Sequence, residues 1–584
     1  MKGTQIKKML LAVVMAGTLA FLGACGGNNN DGGTVATGDG GTAPPAANGG
    51  GAVTGNGGGG VATGNGGGAA ASIHPDFDDT IFGELYIMTF HDQGNLVRNA
   101  GHLEIDYTDA PGGINFLSIY AVARVFNEIF PNITINIYGS ATGDLDGNRA
   151  NFRAEHGRYP DIFVSNNITA DIRRGMVADL THMRSDPRFQ RIQPAILDRY
   201  TIGGRLFGLP WELILGGVYV NYELADLHNI NPPRIDWNLN EFSGFVNHTN
   251  NRNFWGMFEV PTEFLDAGTP DTIYAINNAF ATGQVPQVNL ESEAIRYMLG
   301  QVTPWSRTAL QNARWQNQDP PGLWDMHWGW RIRFWSQNLL LTTATNDWEL
   351  RRVATSAEVD QLKALSNDWD YVPFPSTPFM PNTINVRSTP WVIFNYAMND
   401  NDPAWSAEEQ ALLDIALKFY LFYAIDNRAW EARSQQMVWS GTAVDAPGEY
   451  RETFGTSMRY KLPLVTGPDF DIQMATLYTT DSFRRLQNAD DFPGWHMMKD
   501  ILQNGTTINI NFPIQVEEGG TMVDALHEWN HRFDRDFIGA ATHDAHWLDT
   551  VLAHLPEWNR NANERLARFD AEMREALSRW YGIN

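Results

Sequence analysis

Gly203-Gly204-Arg205-Leu206-Phe207-Gly208-Leu209-Pro210-Trp211-Glu212, running on through Gly216-Gly217-Val218-Tyr219-Val220-Asn221, carries the strongest architectural signal in this chain. Glycines at 203, 204 and 208 permit a tight turn and a close backbone approach where a side chain would clash. Pro210 has no N–H for a ladder, so regular central pairing is expected to fail there. Beyond the second glycine pair, Val218 and Val220 alternate with Tyr219 and Asn221, the period of a strand. A strand, a break and another strand suit a chain passing from one compact body into a second.

The order of these residues resembles the first interlobe crossing of bacterial extracellular solute-binding proteins of the sugar-binding branch, the maltodextrin-binding proteins among them. Their run of Gly, a basic residue, an aromatic, Gly, any residue, Pro and then an aromatic-Asn strand end is matched from Gly204 to Asn221. The resemblance implies an α/β chain with a two-lobed periplasmic-binding-protein-like fold, interlobe crossings and a helical C-terminus.

Upstream, Glu84 to Phe90 reads as a first strand, opening onto His91, Asp92 and Gln93. Phe116, Ile119, Tyr120, Ala123, Val125, Phe126 and Ile129 approximate helical spacing up to Pro131. Ile133 to Ile137 alternates as a second strand, and Tyr159 to Val164 gives a third, opening onto Ser165-Asn166-Asn167. Strands alternating with helices predict a parallel sheet, whose ligands sit beyond the carboxyl ends of its strands. That points to residues 91–93 and 165–167. The Pro160-Asp161-Ile162 run and Gly175-Met176-Val177-Ala178-Asp179-Leu180 also match the family's order.

Downstream, Trp237 to Phe245 resembles the family's Trp-x-x-x-Glu-Phe helix start, and Phe254 to Glu259 a strand entering the second lobe's ligand loop. Leu339 to Ala344, followed by Asn346-Asp347-Trp348, is similar to its strand and ligand-facing tryptophan loop, with Ser336-Gln337-Asn338 replacing the usual Gly-Lys. Tyr371-Val372-Pro373-Phe374-Pro375 resembles the second crossing, with Trp391 in a strand-like stretch after it. Ala411 to Tyr423 and Asn559 to Trp580 read as helices, the latter closing the second lobe. Lobe 1 is accordingly expected at 81–212 and 376–430, and lobe 2 at 213–375 and 431–584.

The amino terminus reads as an address. Lys2, Lys7 and Lys8 precede an apolar run, Met9 to Phe21, too short for a confident membrane span. It ends in Leu22-Gly23-Ala24-Cys25, which resembles the lipobox of bacterial lipoproteins, whose cysteine is acylated after cleavage just before it. Residues 1–24 are thus expected to be a lipoprotein signal peptide. Cys25 is the sole cysteine, so the chain forms no internal disulfide. Residues 25–80 read as the anchored cysteine and a Gly/Asn/Thr-rich linker, in which Val35-Ala36-Thr37-Gly38 recurs as Val61-Ala62-Thr63-Gly64. Residues 26–72 hold no apolar run able to offset chain entropy, and as a coil they span roughly 35–40 Å.

At 584 residues and 43% hydrophobic, the chain is long enough for two domains with sizeable cores. Its net charge of −25 argues against nucleic acid or anionic lipid as partner. Twenty tryptophans suit stacking on sugar faces, but they also suit cores. Trp324, Trp328 and Trp335 share one helix face with Arg331 and read as packing. Trp211, Trp348 and Trp391 lie beside crossings or strand ends, where core burial and ligand stacking both fit. Glu212, Glu259 and Asp347 suit hydroxyl recognition through charge-assisted hydrogen bonds, or equally a solvated surface.

Two metal-like patterns need weighing. Asp144-Leu145-Asp146-Gly147-Asn148 with Glu155 has part of a calcium-loop spacing, but Arg149 stands where the turn requires Gly, and a helix is expected instead. His527-Glu528-Trp529-Asn530-His531 matches the zinc-peptidase pattern, with both imidazoles on one helix face and the glutamate as general base. The extended form fails, since Asp534 and Phe537 hold its later positions, so no metal or cofactor is expected. A secreted zinc metallohydrolase using His527, Glu528 and His531 remains the rival reading.

The residues and the resemblance together give a non-enzymatic protein, lipid-anchored at the outer face of the bacterial cytoplasmic membrane. It is expected to act as a monomer, capturing a carbohydrate for the permease of an ABC transporter. Its expected ligand residues are His91, Asp92, Asn166, Asn167, Trp211, Glu212, Glu259, Asp347, Trp348 and Trp391.

Overall fold

A computed structural model describes residues 76–90, 95–99, 102–106, 118–140, 145–165, 167–248, 254–258, 263–308, 338–346, 368–398, 406–434, 437–439, 450–452, 462–479, 485–505, 508–511 and 546–582. Asp78–Asn584 is one compact unit. Its main sheet has nine strands: β1 Gly83–Phe90, β2 Ile133–Ser140, β3 Ile162–Val164, β4 Leu209–Asn221, β5 Trp255–Met257, β6 Leu340–Asn346, β7 Trp369–Val372, β8 Ile384–Ile393 and β9 Ile508–Asn511. They run in the order β2-β1-β3-β8-β4-β6-β5, with β7 added to β4 and β9 to β8.

The first three strands are parallel, as their alternation with helices predicts. Helix α1, Ser118–Ile129, buries Ile119, Val122, Phe126 and Ile129 completely. Phe126 meets Phe419 and Phe422 edge-on at 5.1 and 5.5 Å, two residues of helix α6, Ala407–Ile425. Helix α2, Leu145–His156, occupies the stretch with partial calcium spacing, and Arg149 points inward to an ion pair. Helix α3, Ile168–Arg173, follows β3.

Two further helices cover the other half: α4, Leu239–Val246, and α5, Glu293–Thr308. Asn238 and Glu241 close a capping box at the start of α4. Trp237 beside it is fully buried and donates to the Pro373 carbonyl at 3.0 Å, which explains why a tryptophan precedes this helix. Tyr219 of β4 stacks on Tyr371 of β7 at 4.2 Å, and the Tyr371 hydroxyl donates to the Leu215 carbonyl.

Two expectations are corrected. The ladder loses its regular pairing at Pro210, as expected, but no break follows: β4 runs unbroken through it for 13 residues. The stretch around 371–375 is not the second crossing. There, β7 pairs with residues 218–221 of β4 and stays in the second half, while β8 is the strand that runs beside β4 through both halves. The glycine turn is as expected, for Gly203 and Gly204 both have positive φ and join the short strands Thr201–Ile202 and Arg205–Leu206.

Helix α7, Pro493–Asn504, lies against β7, and Met498 fits the space at Gly217 that a Cβ would fill. Its first turn has no side-chain cap of its own. Asp370 of β7 supplies one, accepting from the N–H groups of Gly494 and Trp495 and from that of Tyr371. Burial outweighs those donors and pushes the Asp370 carboxyl up to about 7 from 3.8. Because the folded-state value is the raised one, this group favours the fold most in acid, and its contribution falls as pH climbs from about 4 to about 7. Asp370→Asn keeps one acceptor and points an N–H₂ at donors, so it should cost about 1–3 kcal/mol. Urea titrations at pH 5 and pH 7.5 check both, since the variant should lack that part of the pH slope.

Candidate binding cleft at the crossing strands

Strand directions bring the candidate loops together. In the first half β1, β2 and β3 run parallel, ending at Phe90, Ser140 and Val164. The end of β3 lies against Trp391 of β8, which in turn faces Leu209 of β4. In the second half β6 runs against β4 and ends with Asn346 opposite Gly216, while β5 runs parallel to β6. Carboxyl ends from both halves therefore point at one place, the segment 210–216 of β4 and its partners 385–390 of β8. Ligands collect where strand ends meet in this way.

The pairing inside that segment is irregular. Thr389 faces Glu212, yet Pro390 faces Pro210, so Trp211 is an extra residue with no counterpart on β8. Such a bulge re-aims a side chain and bends its strand. Neither proline brings an N–H to the ladder, which thins the hydrogen bonding where the halves join. A buried hydroxyl ties the two strands just beyond: Leu209 N–H donates to Tyr420, which donates to the Trp391 carbonyl. Burial holds the Tyr420 phenol well above its ordinary range, so it stays a neutral donor and acceptor.

The loop after β3 is braced from below. Asn167 caps α3, its side-chain oxygen accepting from Ala170 N–H and the Thr169 hydroxyl at 2.9 Å each. Its own N–H reaches the Ser165 hydroxyl, which bonds Asp171. Arg149 grips Asp171 with two bonds of 3.0 and 2.8 Å and lies 4.6 Å above the Phe163 ring. Asp146 pairs with Arg149 and, at 2.9 Å, with Arg174. This network, buried at Arg149 and Asp171, fixes Ser165 and Asn167 at the end of the strand.

The expected ligand residues divide accordingly. Trp211 and Glu212 lie on the crossing strand itself, placed there by backbone register. Asn167 is at the carboxyl end of β3, with its oxygen engaged in capping. Trp391 is a correction: it is fully buried, stacked on Tyr420 at 5.0 Å and packed on Tyr423 at 4.6 Å, so core burial and not ligand stacking explains it. His91, Asp92, Asn166, Glu259, Asp347 and Trp348 lie outside the described residues, as do Trp324, Trp328 and Trp335 and the His527-Glu528-Trp529-Asn530-His531 motif. The sequence reading missed Arg387, Ser388 and Thr389 of β8 and Asn511, which ends β9 opposite Arg387 at the same crossing. The alternation of Ile508, Asn509, Ile510 and Asn511 was the legible signal for β9.

No family model and no curated protein matches the chain. Solved structures do. The cyclic α-maltosyl-1,6-maltose binding protein from Arthrobacter globiformis is 11% identical over 83% of this chain and 100% of its own, with a TM-score of 0.50. The chain has the two-lobed solute-binding fold. An open-conformation sugar transporter from Rhizobium etli aligns over 82% of this chain and 99% of its own at 13% identity and a TM-score of 0.49. An ABC substrate-binding protein from Listeria monocytogenes in complex with cycloalternan does so over 86% and 99% at 13% and 0.45. β4 and β8 run side by side through the middle of the sheet, between β3 and β6. Among the described residues no helix is long and apolar enough to cross a membrane, and no cluster of His, Cys, Asp and Glu is arranged to hold a metal.

Proposed function

We propose that this chain is a lipid-anchored solute-binding protein that captures a carbohydrate, an oligosaccharide by preference, between its lobes and delivers it to the permease of an ABC transporter. The observation that carries this reading is the convergence of strand ends on a crossing whose irregular register falls at Trp211. An indole at that place suits the C–H face of a sugar ring, and Glu212 beside it suits hydroxyls. The ligand named for the Arthrobacter protein, a cyclic maltosaccharide, supports starting with α-glucans. Closure would turn about the thin ladder at Pro210 and Pro390, a hinge motion of packed lobes. No chemistry on the ligand is proposed.

A thermal-shift screen against linear and cyclic maltosaccharides, mannosaccharides and other neutral glycans tests the reading. A ligand at a hundred times its Kd stabilises the folded chain by about 2.7 kcal/mol, a shift easily read. Stabilisation by zinc with hydrolysis of peptides, and by no glycan, would replace this function with the hydrolase reading.

The anchor has its own test. Cys25→Ser removes the only thiol available for acylation. The variant is expected in the soluble fraction of the producing cells, with ligand affinity intact. Retention on membranes after a high-salt wash would remove the anchor from the account.

A further inference from the structure

Helix α8, Trp547–Tyr581, is docked on both lobes at once. Its apolar stripe of Leu555, Trp558, Ala562, Leu566, Phe569 and Met573 recurs at steps of three and four and is buried along its length. Near its middle it holds the second lobe. Asn559 accepts from Leu290 N–H at 2.9 Å, and Asn563 accepts from Val288 N–H and donates to the Val288 carbonyl, each at 2.9 Å. Those residues lead into α5, which packs on α4 and β5.

At its far end the same helix holds the first lobe. Glu572 pairs with Arg173 at 2.6 Å, Trp580 donates to the Arg173 carbonyl, and the Tyr581 hydroxyl donates to the Val177 carbonyl at 2.8 Å. Gly175 has a φ of +78°, and a Cβ there would lie 2.5 Å from the Trp580 indole, so this turn accepts glycine alone. Val177 and Ala178 in turn bond Phe394 and Ile393 beside the first-lobe end of β8. From Asn559 to Tyr581 the helix covers about 33 Å as a continuous rod.

We propose that α8 is a strap: a non-covalent tie between the lobes, additional to the crossing strands, that restricts how far they rotate. Directional bonds at its middle and at its far end fix its position on each lobe, so rotation about the crossing must slide it off one set of partners. The restraint belongs to the fold and holds whatever the solute is.

The test places spin labels on exposed positions of the two lobes, Glu128→Cys on α1 and Asn240→Cys on α4, in the full chain carrying Cys25→Ser. Pulsed dipolar spectroscopy then reads the interlobe distance distribution. Trp580→Ala with Tyr581→Ala should broaden it about twofold, as orientations excluded by the strap gain population. If that pair prevents folding, Glu572→Gln with Tyr581→Phe keeps both rings, removes an ion pair and a hydrogen bond, and should broaden it in the same direction. Leu265→Ala, on the helix Glu263–Gly268 that packs against α5 and β8, should leave the width unchanged. An unchanged width in the strap variants, or equal broadening by Leu265→Ala, overturns the proposal. Neither outcome depends on whether a sugar binds.

Discussion

Arg149→Ala should destabilise the first lobe by about 3–5 kcal/mol, because it leaves the Asp171 carboxylate buried without its cation. Arg149 and Asp171 are 2% and 1% exposed, so water does little to compensate either charge. The Ser165 hydroxyl remains as one donor, and Arg174, 3.8 Å from Asp171, is engaged at 2.9 Å with Asp146, which together are too little for a carboxylate stripped of a bidentate guanidinium. Burial already holds the Asp171 carboxyl above its ordinary range despite Arg149, and losing the guanidinium raises it further, so the variant binds a proton there more readily in the folded state. A raised folded value contributes stability in acid that is lost as pH rises, so the variant's defect should be smaller at pH 5 than at pH 8. Arg149→Met with Asp171→Leu removes both charges and should recover part of the loss. Urea unfolding of the three proteins at the two pH values decides it. A defect under about 1 kcal/mol would mean that the pair is solvated and braces nothing.

Trp391→Ala is expected to cost about 3–5 kcal/mol, the range for deleting a fully buried large aromatic. The indole fills space against Phe419, Tyr420 and Tyr423 of α6, and those rings cannot collapse into the void without moving the helix. Sugar affinity of the folded variant should stay near that of the parent, since the ring lies beneath the sheet and not in the cleft. Denaturation and calorimetry on one preparation separate the alternatives. Unchanged stability with lost affinity would restore Trp391 to the ligand.

Much of this architecture can be read from local pattern, and its exceptions have physical causes. Glu84 to Phe90, Ile133 to Ile137 and Val218 to Asn221 alternate or run apolar because their strands are packed on one or both faces. The second crossing eluded the reading because Arg387-Ser388-Thr389 interrupts β8 with polar residues where the strand runs between lobes, while Tyr371 to Pro375 offers a better apolar-proline imitation nearby. The strand through Pro210 was misjudged because a proline's cost depends on its partner, and here another proline faces it. Pro556 imitates a helix stop, yet α8 runs through it from Trp547. Its docking on both lobes depends on contacts some 270 to 400 residues away in sequence, which no periodicity encodes. The candidate site was legible as a region, the strand ends around the crossing, because topology dictates it. Single side chains were less so, as Trp391 illustrates: adjacency to a crossing does not say which face of the strand an indole takes.

Small-angle scattering of the full chain, with and without the neutral glycan that gives the largest thermal shift, tests lobe closure around a sugar most directly. The account predicts that saturation lowers the radius of gyration, and that Trp211→Ala needs more of the same glycan to reach the compact form, with a binding loss of about 1–3 kcal/mol. A radius unchanged at saturation, or an affinity indifferent to Trp211→Ala, would contradict it.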